Sequence, residues 1–150
     1  MAQSLAKIYV HAVFSTKNRE RVLTDEHRSA LHDYMGGILH DLGCAPVEIN
    51  TEPDHAHLLF VLSRTKNVSE VIGELKRGSG VWLQAQHPQF KGFHWQNGYG
   101  AFSVSQSGVE DVREYIRTQH EHHRKFSFQD ELRMMLRKYE IEFDERYVWD

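Results

Sequence analysis

"PDHAHLLFVL", residues 53–62, decides how this chain is read. From Leu58 onward it is an uninterrupted apolar strand interior, while its first half is polar and carries His55 and His57. Successive side chains of a strand point to opposite faces, and positions two apart share one. The two imidazoles therefore lie on one face with Ala56 turned from them, close enough to grip one ion or one phosphate. Two hydrated histidines at a strand end are the plainer alternative. Just upstream, "APVEINT" (45–51) is a second strand, joined through "EPD" as a hairpin-like pair.

Working outward, "AKIYVHAVFST" (6–16) is rich in Val, Ile, Phe and Tyr and reads as a first strand. Residues 24–42 read as a helix. Thr24 can cap it, Asp25 and Glu26 suit its positive end, Gly43 stops it, and Leu31, Tyr34, Met35, Ile38, Leu39 and Leu42 recur at helical steps. A second helix spans 67–86, with Asn67 and Glu70 in capping-box register and Gly78 and Gly80 weakening its middle. "FHWQNGYGAFSVS" (93–105) reads as a strand pair, or as one strand with a glycine-rich approach. A third helix spans 107–126, with Ser107 and Glu110 in capping-box register, and a fourth amphipathic piece follows. The order β-α-β-β-α-β-α predicts an α+β fold. It is a ferredoxin-like split βαβ antiparallel sheet with helices on one face and additional C-terminal helices.

At 150 residues and 40% hydrophobic content, 1–150 is expected to be a single domain, with 128–150 as a helical, acidic tail. That tail holds seven acids against four bases, leaving fourteen of each in the rest, so any basic surface is local. No apolar run is long enough for a membrane span and no secretory leader is recognisable, so a cytoplasmic protein is expected. The single cysteine, Cys44, excludes an internal disulfide and a cysteine-based zinc cluster.

Three features carry possible chemistry: His55 with His57; Tyr115 with Gln119, one helical turn apart; and the aromatic, polar stretch from Phe93 to Tyr99. Singly, each has a bland reading, as wet histidines, a packing tyrosine, a solvent-facing amide and a tight turn. Together, "DHAHLLF", "KRGS", "FHWQNGYGAFSVS" and "VREYIRTQHEHHRKFSFQDEL", in that order, resemble the small single-tyrosine HUH transposases of the IS200/IS605 type. The resemblance runs from about Tyr9 to Tyr147. One departure is Ala56, where the family carries a bulky apolar residue between the histidines.

The resemblance implies cleavage and rejoining of single-stranded DNA at insertion-sequence ends. Tyr115 would be the nucleophile, forming a 5′-phosphotyrosine. His55, His57 and Gln119 would hold a divalent metal, Mg²⁺ with Mn²⁺ also effective. It implies substrates with end hairpins, and a homodimer whose tyrosine helix serves the partner's histidines. Lys76, Arg77, Trp95, Tyr99, Arg113 and Arg117 are the expected DNA contacts. Asp54 can orient a histidine, and no residue stands out as the proton acceptor for the tyrosine. The non-enzymatic alternative is a domesticated protein that binds hairpins without cutting. A histidine-based nucleotide hydrolase fits poorly, because the next same-face position, 59, is Leu.

Overall fold

The computed structural model describes residues 2–122 and 126–150. Its centre is a four-stranded sheet in the order β2-β3-β1-β4. The strands are β1 (Tyr9–Ser15), β2 (Ala45–Glu52), β3 (His55–Val61) and β4 (Gly100–Val104). All three pairings are antiparallel. The helices α1 (Asp25–Asp41) and α2 (Val68–Gln86) follow β1 and β3, which is the ferredoxin-like order that the sequence predicts.

Strand alternation sorts the core. Val10, Ala12 and Phe14 of β1 and Ala56, Leu58 and Phe60 of β3 face the larger cluster, where Leu31, Met35 and Leu39 of α1 meet Ile72, Leu75 and Leu83 of α2. Asn67 and Glu70 form the expected capping box on α2. Thr24 occupies the N-cap of α1 without a side-chain cap bond. At the other end Gly43 takes φ 79°, which turns the chain so that the Cys44 N–H reaches back to the Leu39 carbonyl. A Cβ at Gly78 would stand 2.8 Å from Ile38 Cδ1, so this glycine lets α1 and α2 approach closely.

The opposite face is covered by the C-terminal helices α3 (Val109–Arg117), α4 (Gln119–His122) and α5 (Phe128–Lys138). Tyr9 and Leu59 pack on Val109 and Ile116. Val13 and Phe102 pack on Phe128, Leu132 and Leu136. With both faces covered, β1 is buried along its whole length.

Two local expectations need correction. The Ser107–Glu110 capping box does not form: residues 106–108 make a 3-10 turn, and Gly108 is the N-cap of α3. The predicted third helix breaks at Thr118, whose N–H and hydroxyl both donate to the Glu114 carbonyl. Residues 123–125, where that helix was expected to continue, lie outside the described residues. Of the two readings of 93–105 the second holds: a glycine-rich approach with one bridge, Thr16 to Trp95, leads into the single strand β4.

Candidate metal and nucleophile site

The site is built on the sheet face beneath α3 and α5. His55 and His57 share that face and Ala56 points into the other core. Both histidines are buried rather than wet, because the C-terminal helices lie over them. The turn before them is pinned: Asp54 O accepts from Thr16 N–H at 2.9 Å, and Pro53 O accepts from Leu23 N–H at 3.0 Å.

Each imidazole is held from behind. His55 Nδ1 lies 2.7 Å from Asp54 Oδ1, the orienting role expected of Asp54. His57 Nδ1 lies 2.9 Å from Nε2 of His11 on β1, and the two rings stack. Burial, with the neighbouring His57, holds the His11 pKa down to about 3. A neutral His11 can accept the Nδ1 proton of His57 or donate its own: in the first tautomer His57 Nε2 has a lone pair for a ligand, in the second it donates to Glu131. A hydrogen-bond partner on the far ring nitrogen fixes the orientation and tautomer of a metal-binding imidazole in this way.

The two Nε2 atoms converge on a carboxylate from α5. Glu131 Oε1 lies 2.8 Å from His57 Nε2 and 3.8 Å from His55 Nε2. One ligand atom from each of His55, His57 and Glu131 falls within 4.8 Å of the others. Two imidazoles and a carboxylate, close together and held by partners, fit a divalent cation.

Tyr115 reaches the same carboxylate, its hydroxyl donating to Glu131 Oε2 at 2.5 Å. Its ring lies 6.0 Å from that of His57 in the same chain. The α3 helix is docked by Asn50, whose amide donates to the Ile116 carbonyl at 2.7 Å, and by an Arg113–Glu48 pair at 3.1 Å. Burial foremost, then the charge and hydrogen bond of Glu131, raise the phenol above its ordinary pKa, while a Gln119 hydrogen bond opposes them. Gln119 is buried beside Tyr115, and its amide donates to the Tyr115 carbonyl at 3.2 Å. A cleft of about 480 Å³ opens onto Tyr115, Glu131 and His11, with Lys138 and Tyr139 on its wall.

The expected DNA contacts do not form one stripe. Trp95 is buried, edge-on to Phe14 and Phe93, and its indole N–H donates to Ser79 Oγ at 2.9 Å, so it has no free face for a base. The Lys76 ammonium donates to the Gln96 and Asn97 carbonyls at 2.9 and 3.1 Å, and burial lowers its pKa to about 8. It ties the approach loop to α2. Arg77 pairs with Glu74, and Arg117 with Glu114. Tyr99 is partly exposed beside Lys76, whereas Arg113 stands over β2 at the far edge of the sheet.

Glu131 and His11 were missed by sequence reasoning. A same-face pattern with His57 was the available signal for His11. Glu131 had none beyond its place on the apolar side of an amphipathic helix.

Comparison with known proteins supplies the family. The chain belongs to the IS200-like transposases: the profile described as "Transposase IS200 like" matches residues 4–119. It is 27% identical over 116 residues to the ISDra2 transposase TnpA of Deinococcus radiodurans, covering 74% of this chain and 83% of that protein. A crystal structure from Deinococcus radiodurans R1, described as a transposase, superposes with a TM-score of 0.62 at 25% identity, covering 79% of this chain and 98% of that one. A REP-associated tyrosine transposase bound to a REP hairpin shares the fold, with a TM-score of 0.58 at 15% identity, covering 82% of this chain and 74% of that one. The matched family segment ends at Gln119, so Glu131 lies beyond it. No helix among the described residues is long and apolar enough to cross a membrane.

Proposed function

We propose that this transposase cleaves and rejoins single-stranded DNA at insertion-sequence ends through a 5′-phosphotyrosine on Tyr115. The observation that carries the reading is the Tyr115 hydroxyl set against the convergent His55, His57 and Glu131 groups. In the forward step the Tyr115 oxygen bonds to phosphorus, the P–O3′ bond breaks, and a 3′ hydroxyl departs. The phosphodiester energy is retained, so a different 3′ hydroxyl can later attack and reseal. The cleft beside Tyr115 admits the strand, and the Lys138 ammonium is placed to meet a phosphate.

The third metal ligand is assigned to Glu131 rather than Gln119, since the carboxylate is the group on which both Nε2 atoms converge. A divalent ion bound there supplies Lewis-acid stabilisation of charge on the phosphate. With one carboxylate in the set, the ligands neutralise one of its two charges. The mixed nitrogen and oxygen donors suit Mn²⁺ at least as well as Mg²⁺.

The substrate is single-stranded DNA carrying end hairpins, a reading supported by family membership. Arg77, Tyr99, Arg113 and Arg117 remain contacts in this proposal, and Trp95 and Lys76 do not. A homodimer acting in the cytoplasm remains part of it. Its sites are built within each chain, a view supported by the Tyr115, His57 and Glu131 contacts of one chain.

The test uses labelled single strands from both flanks of the chain's own coding region, with Mg²⁺ or Mn²⁺. A denaturant-resistant protein–DNA adduct is expected, lost in Tyr115→Phe, in His57→Ala and on chelation. Hairpin binding without an adduct would favour a binding-only protein.

A further inference from the structure

We propose that the loop after β1, centred on Lys17 and Arg19, binds the phosphate backbone of the single strand that adjoins the end hairpin. The inference rests on the transposase reading above and deepens it, with a strand track that the expected DNA contacts did not include. The body of the chain is balanced in charge, so affinity for a polyanion must come from a local surface. Residues 17–21, "KNRER", hold three cations against one acid. Lys17 is exposed and Arg19 half-buried, and neither forms an ion pair among the described residues. Arg77, Arg113 and Arg117, by contrast, each pair with a glutamate.

Three hollows join around this loop. The first, of about 430 Å³, lies between α2 and residues 93–97, with Arg77, His94 and Asn97 on its wall. The second, of about 140 Å³, shares His94 with the first and adds Lys17 and Glu20. The third, of about 150 Å³, shares Lys17 with the second and Asn97 with the first, and adds Asn18. The shared residues make one track with Lys17 at its middle. Arg19 stands over the Trp149 ring, which lines the third hollow. Cations with amides between them meet phosphate oxygens and base edges, and hollows this narrow take a single strand rather than a duplex.

The loop begins at the metal end of the sheet, because Ser15 pairs opposite His55. It is tied to the turn before that histidine. Thr16 N–H donates to the Asp54 carbonyl at 2.9 Å, and Val22 N–H to the Pro53 carbonyl at 3.0 Å. Across the track, Lys17 N–H donates to the His94 carbonyl at 2.8 Å. Within the loop, the Thr16 hydroxyl donates to the Glu20 carbonyl at 2.7 Å. These bonds hold Asn18 and Arg19 at φ 58° and 55°, two left-handed residues in succession without a glycine. Such backbone is uncommon, and it persists where surrounding structure holds a binding segment in shape.

The test is fluorescence anisotropy with EDTA present, so that no strand is cut. The probes are a hairpin from the flank of the chain's own coding region, bare or with about ten unpaired nucleotides on its 5′ or 3′ side. The proteins are wild type, Lys17→Gln, Lys17→Arg, and Lys17→Gln combined with Arg19→Asn, since asparagine tolerates the left-handed backbone. We expect an unpaired extension to tighten wild-type binding. The double variant should bind the extended probe about 10-fold or more weakly at about 0.1 M salt, with the log–log salt slope shallower by about 1.4. Lys17→Gln alone should show about half that change in slope, and Lys17→Arg almost none. In Lys17→Gln the bare-hairpin affinity, the melting temperature and the Mn²⁺ affinity should stay near wild type. Unchanged affinity and salt slope of Lys17→Gln on the extended probe would overturn the proposal. So would equal losses on bare and extended hairpins, which would make the loop a duplex contact, or an extension that adds nothing to wild-type binding. A wild type that binds no flanking hairpin would instead bring down the transposase reading of the substrate, and this inference with it.

Discussion

His11 on β1 and His57 on β3 share a 2.9 Å hydrogen bond across the sheet, so the orientation of one proposed metal ligand is set by a third histidine. Removing such an outer partner weakens metal binding by about 10- to 100-fold. His11→Phe should keep the fold, since the site is buried and aromatic, and weaken Mn²⁺ binding by that order. Calorimetric titration of the DNA-free protein reads this directly. Unchanged affinity would mean that the contact is packing alone.

The same burial makes the metal-free fold sensitive to acid. His11 and His32 are held neutral, with pKa values lowered to about 3 and about 4, chiefly by desolvation. An unfolded imidazole titrates near 6.5, so below that pH the unfolded chain binds more protons. The stability these residues contribute is therefore fully present above about pH 6.5 and is lost as pH falls toward 4. Each contributes at most about 1.4 kcal/mol per pH unit, and half-solvated His32 less. Melting temperature should be several degrees lower at pH 5 than at pH 7, and His32→Gln should flatten the difference. Equal melting at the two pH values would contradict this.

Trp95 and Lys76 should act on stability first. Trp95→Ala removes a buried indole and its bond to Ser79, and is expected to cost about 3–5 kcal/mol in denaturant unfolding. Lys76→Met releases the loop carbonyls of Gln96 and Asn97 and should lower the melting temperature. Arg77→Ala and Arg117→Ala, whose pairs are exposed and local, should instead leave melting nearly unchanged and reduce the salt dependence of hairpin binding. The reverse pattern would restore Trp95 and Lys76 to the DNA face.

These contrasts show what the sequence could and could not convey. Period-two alternation placed His55 and His57 on one face, and helical periodicity placed α1 and α2, because local backbone geometry dictates both. Asp54 was legible as a partner because it adjoins His55. The bond from His57 to Glu131 spans 74 residues, and the local mark on Glu131 is no more than its place among the apolar positions of "SFQDELRMMLRK". Trp95 misled for a related reason. An aromatic among glycines and amides looks the same whether its ring faces solvent or the core, and only the bridge to Thr16 turned it inward. The break at Thr118 was hidden because a threonine is compatible with a continuing helix.

The cis arrangement predicts the outcome of mixing. When Tyr115→Phe and His57→Ala chains are combined, no adduct should form above the level of either alone, because neither chain holds a complete site. Recovery of cleavage would show tyrosine delivered between subunits.

The most direct measurement is mass-spectrometric mapping of the adduct. Protein is reacted with flanking single strands and Mn²⁺, digested with protease and nuclease, and searched for a nucleotide-bearing peptide. The account predicts one modified peptide, with a 5′-phosphate ester on Tyr115 and a free 3′ hydroxyl on the released strand. Linkage to another residue, or cleavage that leaves no covalent protein–DNA bond, would contradict it.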